Sequence, residues 1–321
     1  MAGEEGQSLA YWLRWQVLVC ALIAALPAAA AVWLIKKKER QNLRAMNLWV
    51  PYWRNVSPFW LLAYRGIVFL LMAWLLVMLV LIEGVSVFYF YTQWTFALVL
   101  IYFLLGTMES ARGCWIYSRQ SVITREQALL QGNLERGHAA TSSHMGDKIM
   151  DDTTLLGNSD GQVYERLHGE NAGFSGYVMH IVYQMSAGAV VLTDAVFWII
   201  LLPDISSMHH RLDLLMVCMH SLNAVFLLVD TMLNSLPIPW FGMTYFVLWS
   251  CTYVAFQWVL HACGSNWWPY PFMELSTPWA PLWYLAMALI HFPCFSIFYL
   301  FSKAKNMLIT KFYPNLCLKL C

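Results

Sequence analysis

The chain has 321 residues, 60% of them apolar and 12% charged, with 17 tryptophans and a formal net charge of +1. Soluble domains carry about 25% charged residues, so this composition excludes an ordinary soluble globular protein and describes a polytopic membrane protein. It also carries no basic stripe for nucleic acid, no CxxC or HExxH zinc pattern, no P-loop, no GxSxG elbow and no dinucleotide fingerprint, so neither a metal nor a cofactor is expected.

A helix needs about 20 apolar residues to cross the hydrocarbon. In chain order seven segments qualify: 16–35, 66–83, 88–108, 178–201, 213–236, 241–261 and 280–302. The expected fold is therefore all-α, a helical membrane bundle. An N-terminal tail and first span occupy 1–35, and a linker follows at 36–65. Spans two and three lie within 66–108, a loop at 109–177, spans four to seven within 178–302, and a tail at 303–321. The first span resembles a signal peptide, but Glu4 and Glu5 precede it and Lys36, Lys37 and Lys38 follow it, as in a retained anchor. If 36–65 is cytoplasmic, alternation puts every Lys and Arg except Arg14 and Arg211 on that side. The positive-inside rule then predicts an outer N-terminus and a cytoplasmic C-terminus.

From Ser118 to Asn171 the chain is polar and lacks an apolar helical stripe, which predicts a flexible cytoplasmic loop. Within it Asp151, Leu155 and Leu156 have the spacing of an acidic dileucine signal, a pattern that chance also produces. Most of the eight cysteines lie in or beside spans and only Cys263 falls in an outer loop, so no disulfide framework is expected. Cys114, Cys317 and Cys321 are placed for palmitoylation or are plain thiols. The one glycosylation pattern, at Asn55, lies on the cytoplasmic side.

Polar residues inside spans are the informative ones. In the fifth span His220, Asn223, Leu227, Asp230 and Asn234 share one helical face, which must look into the bundle because an ionisable group in lipid costs several kcal/mol. That face either glues helices together or does chemistry. In the third span Thr92, Thr95, Val99, Tyr102 and Gly106 share a face, although a membrane threonine usually only bonds the carbonyl one turn back. Counted from the outer ends, Thr95 and His220 each lie about 10 Å deep. His261 falls at the outer end of its span and Asp194 below the outer end of the fourth, so a nucleophile, a base and orienting groups can converge at one level.

Four blocks resemble the androgen-induced and FAR-17a family and its rolling-stone-like plant branch. They are Trp94-Thr95-Phe96, AVFWII at 195–200, MHSLNAVFLLVD at 219–230 and WVLHACGSNWWPYPFME at 258–274. The resemblance, over roughly 60–305, implies an intramembrane hydrolase of fatty acid esters of hydroxy fatty acids. It implies Thr95 as nucleophile and His220 as base, with Asp230, His261 and Glu274 at family positions. The chain departs from the family in its extra first span, its long middle loop, and Asp194 at an apolar position. In the rolling stone branch, linked to cell fusion, it is Thr92 that finds the counterpart.

A threonine hydroxyl needs a base to remove its proton as it attacks an ester, and the oxyanion then needs donors, for which Asn223 is a candidate. Asp194 or Asp230 would orient the imidazole. His261 would hydrogen-bond in support or contact the lipid headgroup. The expected partners are membrane lipids and a lipid ester. A non-catalytic protein of adhesion, fusion or scaffolding is the alternative, and a transporter or receptor a third reading.

Overall fold

A computed structural model of the chain describes residues 9–38, 42–54, 56–139, 170–201, 214–265 and 267–313. The 151–156 dileucine pattern, Asn55, Arg211, Cys317 and Cys321 lie outside them. Seven long helices follow one another: α1 Trp15–Lys37, α2 Pro58–Glu83, α3 Tyr91–Ala139, α4 Phe174–Ala195, α5 Leu214–Leu233, α6 Met243–Ala262 and α7 Ala280–Phe312. Among the described residues six segments are long and apolar enough to cross a membrane: Trp15–Lys37, Pro58–Glu83, Tyr91–Ile123, Phe174–Leu201, Trp240–Ala262 and Ala280–Phe312. The predicted fifth span corresponds to α5, a shorter apolar helix over Val217–Leu233. The protein is thus an all-helical integral membrane protein with six candidate spanning helices, and no strand occurs among the described residues.

Four boundaries differ from the sequence reading, one of them the end of α7, which runs past 302 to Phe312 into the segment expected as tail. Helix α2 starts at Pro58 rather than 66, because the Ser57 hydroxyl accepts from the Phe59 amide at 3.4 Å and Pro58 supplies a pre-set first turn. Helix α3 runs past 108 to Ala139, into the segment expected as loop. No proline interrupts it, and REQALLQGNLER is rich in strong helix formers; a missing apolar stripe denies a helix packing partners, not existence. The 36–65 stretch is more than a linker, since Leu43, Met46, Leu48, Trp49 and Val50 are buried. It is pinned by Ala45 N–H to the Glu170 carbonyl at 2.9 Å and by Tyr52 N–H to the Leu233 carbonyl at 2.7 Å, which caps α5.

The core lies where α3, α4 and α5 meet α6 and α7, around Phe96, Tyr102, Tyr183, Leu227, Phe246 and Phe298. The small run Ser186-Ala187-Gly188-Ala189 lets α6 come close, and a Cβ at Gly188 would overlap the Phe246 ring. Helix α1 is peripheral. It rests on α6 and α7, buries only Val17, Cys20 and Ala31, and exposes Leu22, Leu26 and Trp33.

Candidate functional site

The site begins at the first turn of α3, whose free amides need acceptors. The Tyr270 phenol, from the loop before α7, takes the Tyr91 N–H at 3.0 Å, with the Thr92 hydroxyl beside it. Burial raises the Tyr270 pKa above its ordinary value, so the phenol stays neutral. The Tyr91 hydroxyl pairs with the Ser250 hydroxyl of α6 at 2.9 Å, while Tyr253 and Gln257 donate to the Tyr89 carbonyl at 2.8 and 2.6 Å. These bonds fix the start of α3 against α6.

One turn further along α3, Thr95 is 0% exposed. Its hydroxyl oxygen lies 3.0 Å from that of Thr193 on α4, and Thr193 is also 2.8 Å from the Ala189 carbonyl. Thr193 has one proton for those two acceptors, so Thr95 donates to Thr193 whenever Thr193 donates to Ala189. Thr107, Thr193, Thr231 and Thr252 each bond the carbonyl four residues back on their own helix. Thr95 instead meets two side-chain hydroxyls, Thr193 on the neighbouring helix and Tyr91 one turn back on its own.

His220 sits on α5 with its ring flat on Phe197, centroids 3.6 Å apart and planes 8° from parallel. Phe197 is one turn beyond Thr193, in the π-helical turn Val196–Leu201 that continues α4. Thr95 and His220 are therefore held by adjacent turns of the same helix, at Thr193 and Phe197, which lie roughly 6 Å apart along its axis. The His220 Nδ1 is buried without a hydrogen bond, and no hydrogen bond joins His220 to Thr95, Asp194 or Asp230.

The other expected residues fall in three places. The Asn223 amide donates to the Met219 carbonyl of its own helix at 2.9 Å, and its Oδ1 is buried and unpartnered. Asp194 is half-buried near the end of α4 with Oδ1 unpartnered. Asp230 belongs to a separate knot: Arg65 Nε donates to it at 2.8 Å, Asn234 Nδ2 at 2.7 Å, and Tyr102 closes on the same carboxylate. Arg65 also reaches the Leu48 carbonyl at 2.6 Å and Ser110 at 2.8 Å, while Lys305 donates to the Thr231 and Asn234 carbonyls at 2.8 and 3.0 Å. Two cations thus gather at the C-terminal end of α5, where the helix dipole favours them. Asp230 holds helices together there and does not orient His220.

His261 lies at the end of α6, stacked on Trp268 at 4.3 Å and close to Tyr11 at 5.4 Å, with neither ring nitrogen in a well-formed hydrogen bond. Burial and the Glu274 charge push the Tyr11 phenol up to about 12. This cluster clamps the segment before α1 onto α6.

Thr92, Thr193 and His220 line a cavity of about 740 Å³ between α1, α4, α6 and α7, within the range of about 300–1,000 Å³ usual for ligand pockets. Its wall is overwhelmingly apolar. The rim residues Leu22, Leu26, Leu285 and Leu289 are exposed, so the cavity opens sideways between α1 and α7. Thr95 lies directly behind Thr193. No family model, curated protein or solved structure matches the chain. Fold and cavity define a multi-pass helical membrane protein with a largely apolar chamber.

Sequence reasoning missed Thr193, Tyr91, Ser250 and Tyr270, single polar groups in apolar or aromatic runs with no pattern of their own. Arg65 was findable: Ser57-Pro58 is a helix start, and it places Arg65 two turns inside α2.

Proposed function

We propose that the protein is an intramembrane hydrolase of lipid esters, of the type formed by fatty acids on hydroxy fatty acids, with Thr95 as nucleophile and His220 as base. The observation that carries the reading is the Thr95 hydroxyl, which does not take the carbonyl one turn back and is bonded to a hydroxyl on the wall of an apolar chamber that His220 also lines. We further propose that α5 crosses as a seventh span, that the N-terminus is outside, and that the chain is a distant member of the androgen-induced and FAR-17a family.

In the reaction the ester carbonyl enters beside Thr193. The Thr95 O–H bond breaks as its proton passes to the Thr193 hydroxyl, which gives up its own proton to His220; the Thr95 oxygen bonds the carbonyl carbon, and the carbonyl π pair moves to its oxygen. Collapse of the adduct expels the alkoxide, which takes the proton from His220. Water then bonds the acyl carbon as the imidazole takes its proton, the bond between the Thr95 oxygen and the acyl carbon breaks, and the departing Thr95 oxygen recovers that proton, which frees the fatty acid and restores the threonine. Thr92 is the alternative nucleophile, favoured by its direct exposure to the cavity. A non-catalytic lipid-holding role is the alternative function, favoured by the missing Thr95–His220 hydrogen bond.

A fluorophosphonate carrying an alkyl chain tests the assignment. Covalent labelling mapped to Thr95 by mass spectrometry, and lost in His220→Ala, supports it. Labelling mapped to Thr92 transfers the role there, and an unlabelled, folded protein rejects the hydrolase.

A further inference from the structure

The chamber has two chemically different ends. Toward one end stand the hydroxyls of Tyr91, Thr92, Thr193 and Ser250, with Phe272, Met273 and Tyr284 lining the cavity beyond them. At the other the lining ends on Leu34, Trp240, Phe241 and Thr244, whose hydroxyl is tied to the Phe241 carbonyl at 2.8 Å. Trp240 is braced on α7 by Phe295 and Tyr299, at 5.8 and 5.4 Å between ring centroids. The Lys38 ammonium lies 3.6 Å from the centroid of the Phe241 ring, so this end coincides with the level at which α1 leaves the hydrocarbon and charge begins. Between the two ends one wall is α1, with the small side chains Ala24, Ala30 and Ala31 and with Pro27, leaving a largely apolar slot in which the His291 ring is tied to the Met287 carbonyl at 2.6 Å.

We propose that this slot is a ruler for a single extended acyl chain, its carbonyl end at the hydroxyls and its terminal methyl against Trp240 and Phe241. Ser250 and Phe241 are separated by about 14 Å along their helix. A zigzag chain advances about 1.3 Å per C–C bond, so the slot takes about ten methylenes beyond the carbonyl. The occupant is a membrane lipid's hydrocarbon chain because the wall is apolar and the side opening is rimmed by lipid-facing leucines. Phe241 and Trp240 then set chain-length preference, and Ala31 leaves the slot its width. The proposal builds on the lipid-ester reading by defining the acyl part of the substrate, but it is read out by binding.

The experiment uses the full chain in lipid nanodiscs and a medium-chain fatty acid with a photoreactive diazirine at its terminal carbon, competed by saturated fatty acids of about six to sixteen carbons. Crosslinks should map to Trp240, Phe241 and Leu34. Competitor potency should rise about fourfold per methylene until the slot is full and then level off. Phe241→Ala should move the plateau two or three carbons longer, and Ala31→Phe should move it shorter by a similar step. These opposite shifts separate a ruler from general damage. Crosslinks scattered over the lipid-facing surface, or a plateau moved by neither variant, would overturn the proposal. Because binding is measured, an inactive wild type leaves a positive result standing, and a flat length profile in an active enzyme removes only the ruler.

Discussion

At the residue scale the account turns on which hydroxyl gives up which proton. Thr193 stands between Thr95 and the cavity and can serve Ala189 or Thr95 with its one proton. Thr193→Val, which keeps the shape and removes the hydroxyl, should lower kcat about tenfold or more with little change in KM, and Thr193→Ser should recover most of it. Equal losses in both variants would mean that Thr193 only packs. The Arg65–Asp230 pair makes a different prediction. Arg65→Met alone strands a buried carboxylate and should destabilise by about 3–5 kcal/mol, seen as lost monodisperse protein in detergent chromatography. Arg65→Met with Asp230→Leu should recover part of it. The sequence made His220, Asn223, Asp230 and Asn234 legible as one inward face, because helical periodicity sorts residues by angle. It could not assign them partners: Asp230 went to Arg65 on another helix, and Asn223 turned back on Met219 of its own.

At the scale of elements, spans were legible where hydropathy alone decides and illegible where capping or length does. Helix α2 gained two turns from Ser57-Pro58, α3 ran on through a polar sequence, and α5 is described as apolar over Val217–Leu233. Two contacts between elements should be sensitive. Tyr270→Phe removes the acceptor for the Tyr91 amide at the start of α3 and should cost about 1 kcal/mol, read as a lower melting temperature. Gly188→Leu drives a side chain into the Phe246 ring at the α4–α6 crossing and should cost well over 1 kcal/mol or prevent folding, whereas Ala189→Gly should be far milder.

At the scale of the molecule, tightly knit helices enclose the ion-pair knot at one end of α5 and the hydroxyl cluster at the other, while α1 lies loosely against the outside and completes the chamber wall. The knot fixes α5, α5 presents His220, and α4 brings Thr193 and Phe197 between His220 and Thr95. The most direct measurement is hydrolysis of a fluorogenic medium-chain ester and of a hydroxy-fatty-acid ester by the purified protein, comparing wild type with Thr95→Ala, Thr92→Ala and His220→Ala. The account predicts turnover by the wild type and by Thr92→Ala, and loss of it in Thr95→Ala and His220→Ala. A folded wild type without turnover on either ester, or activity that survives loss of Thr95, would contradict it.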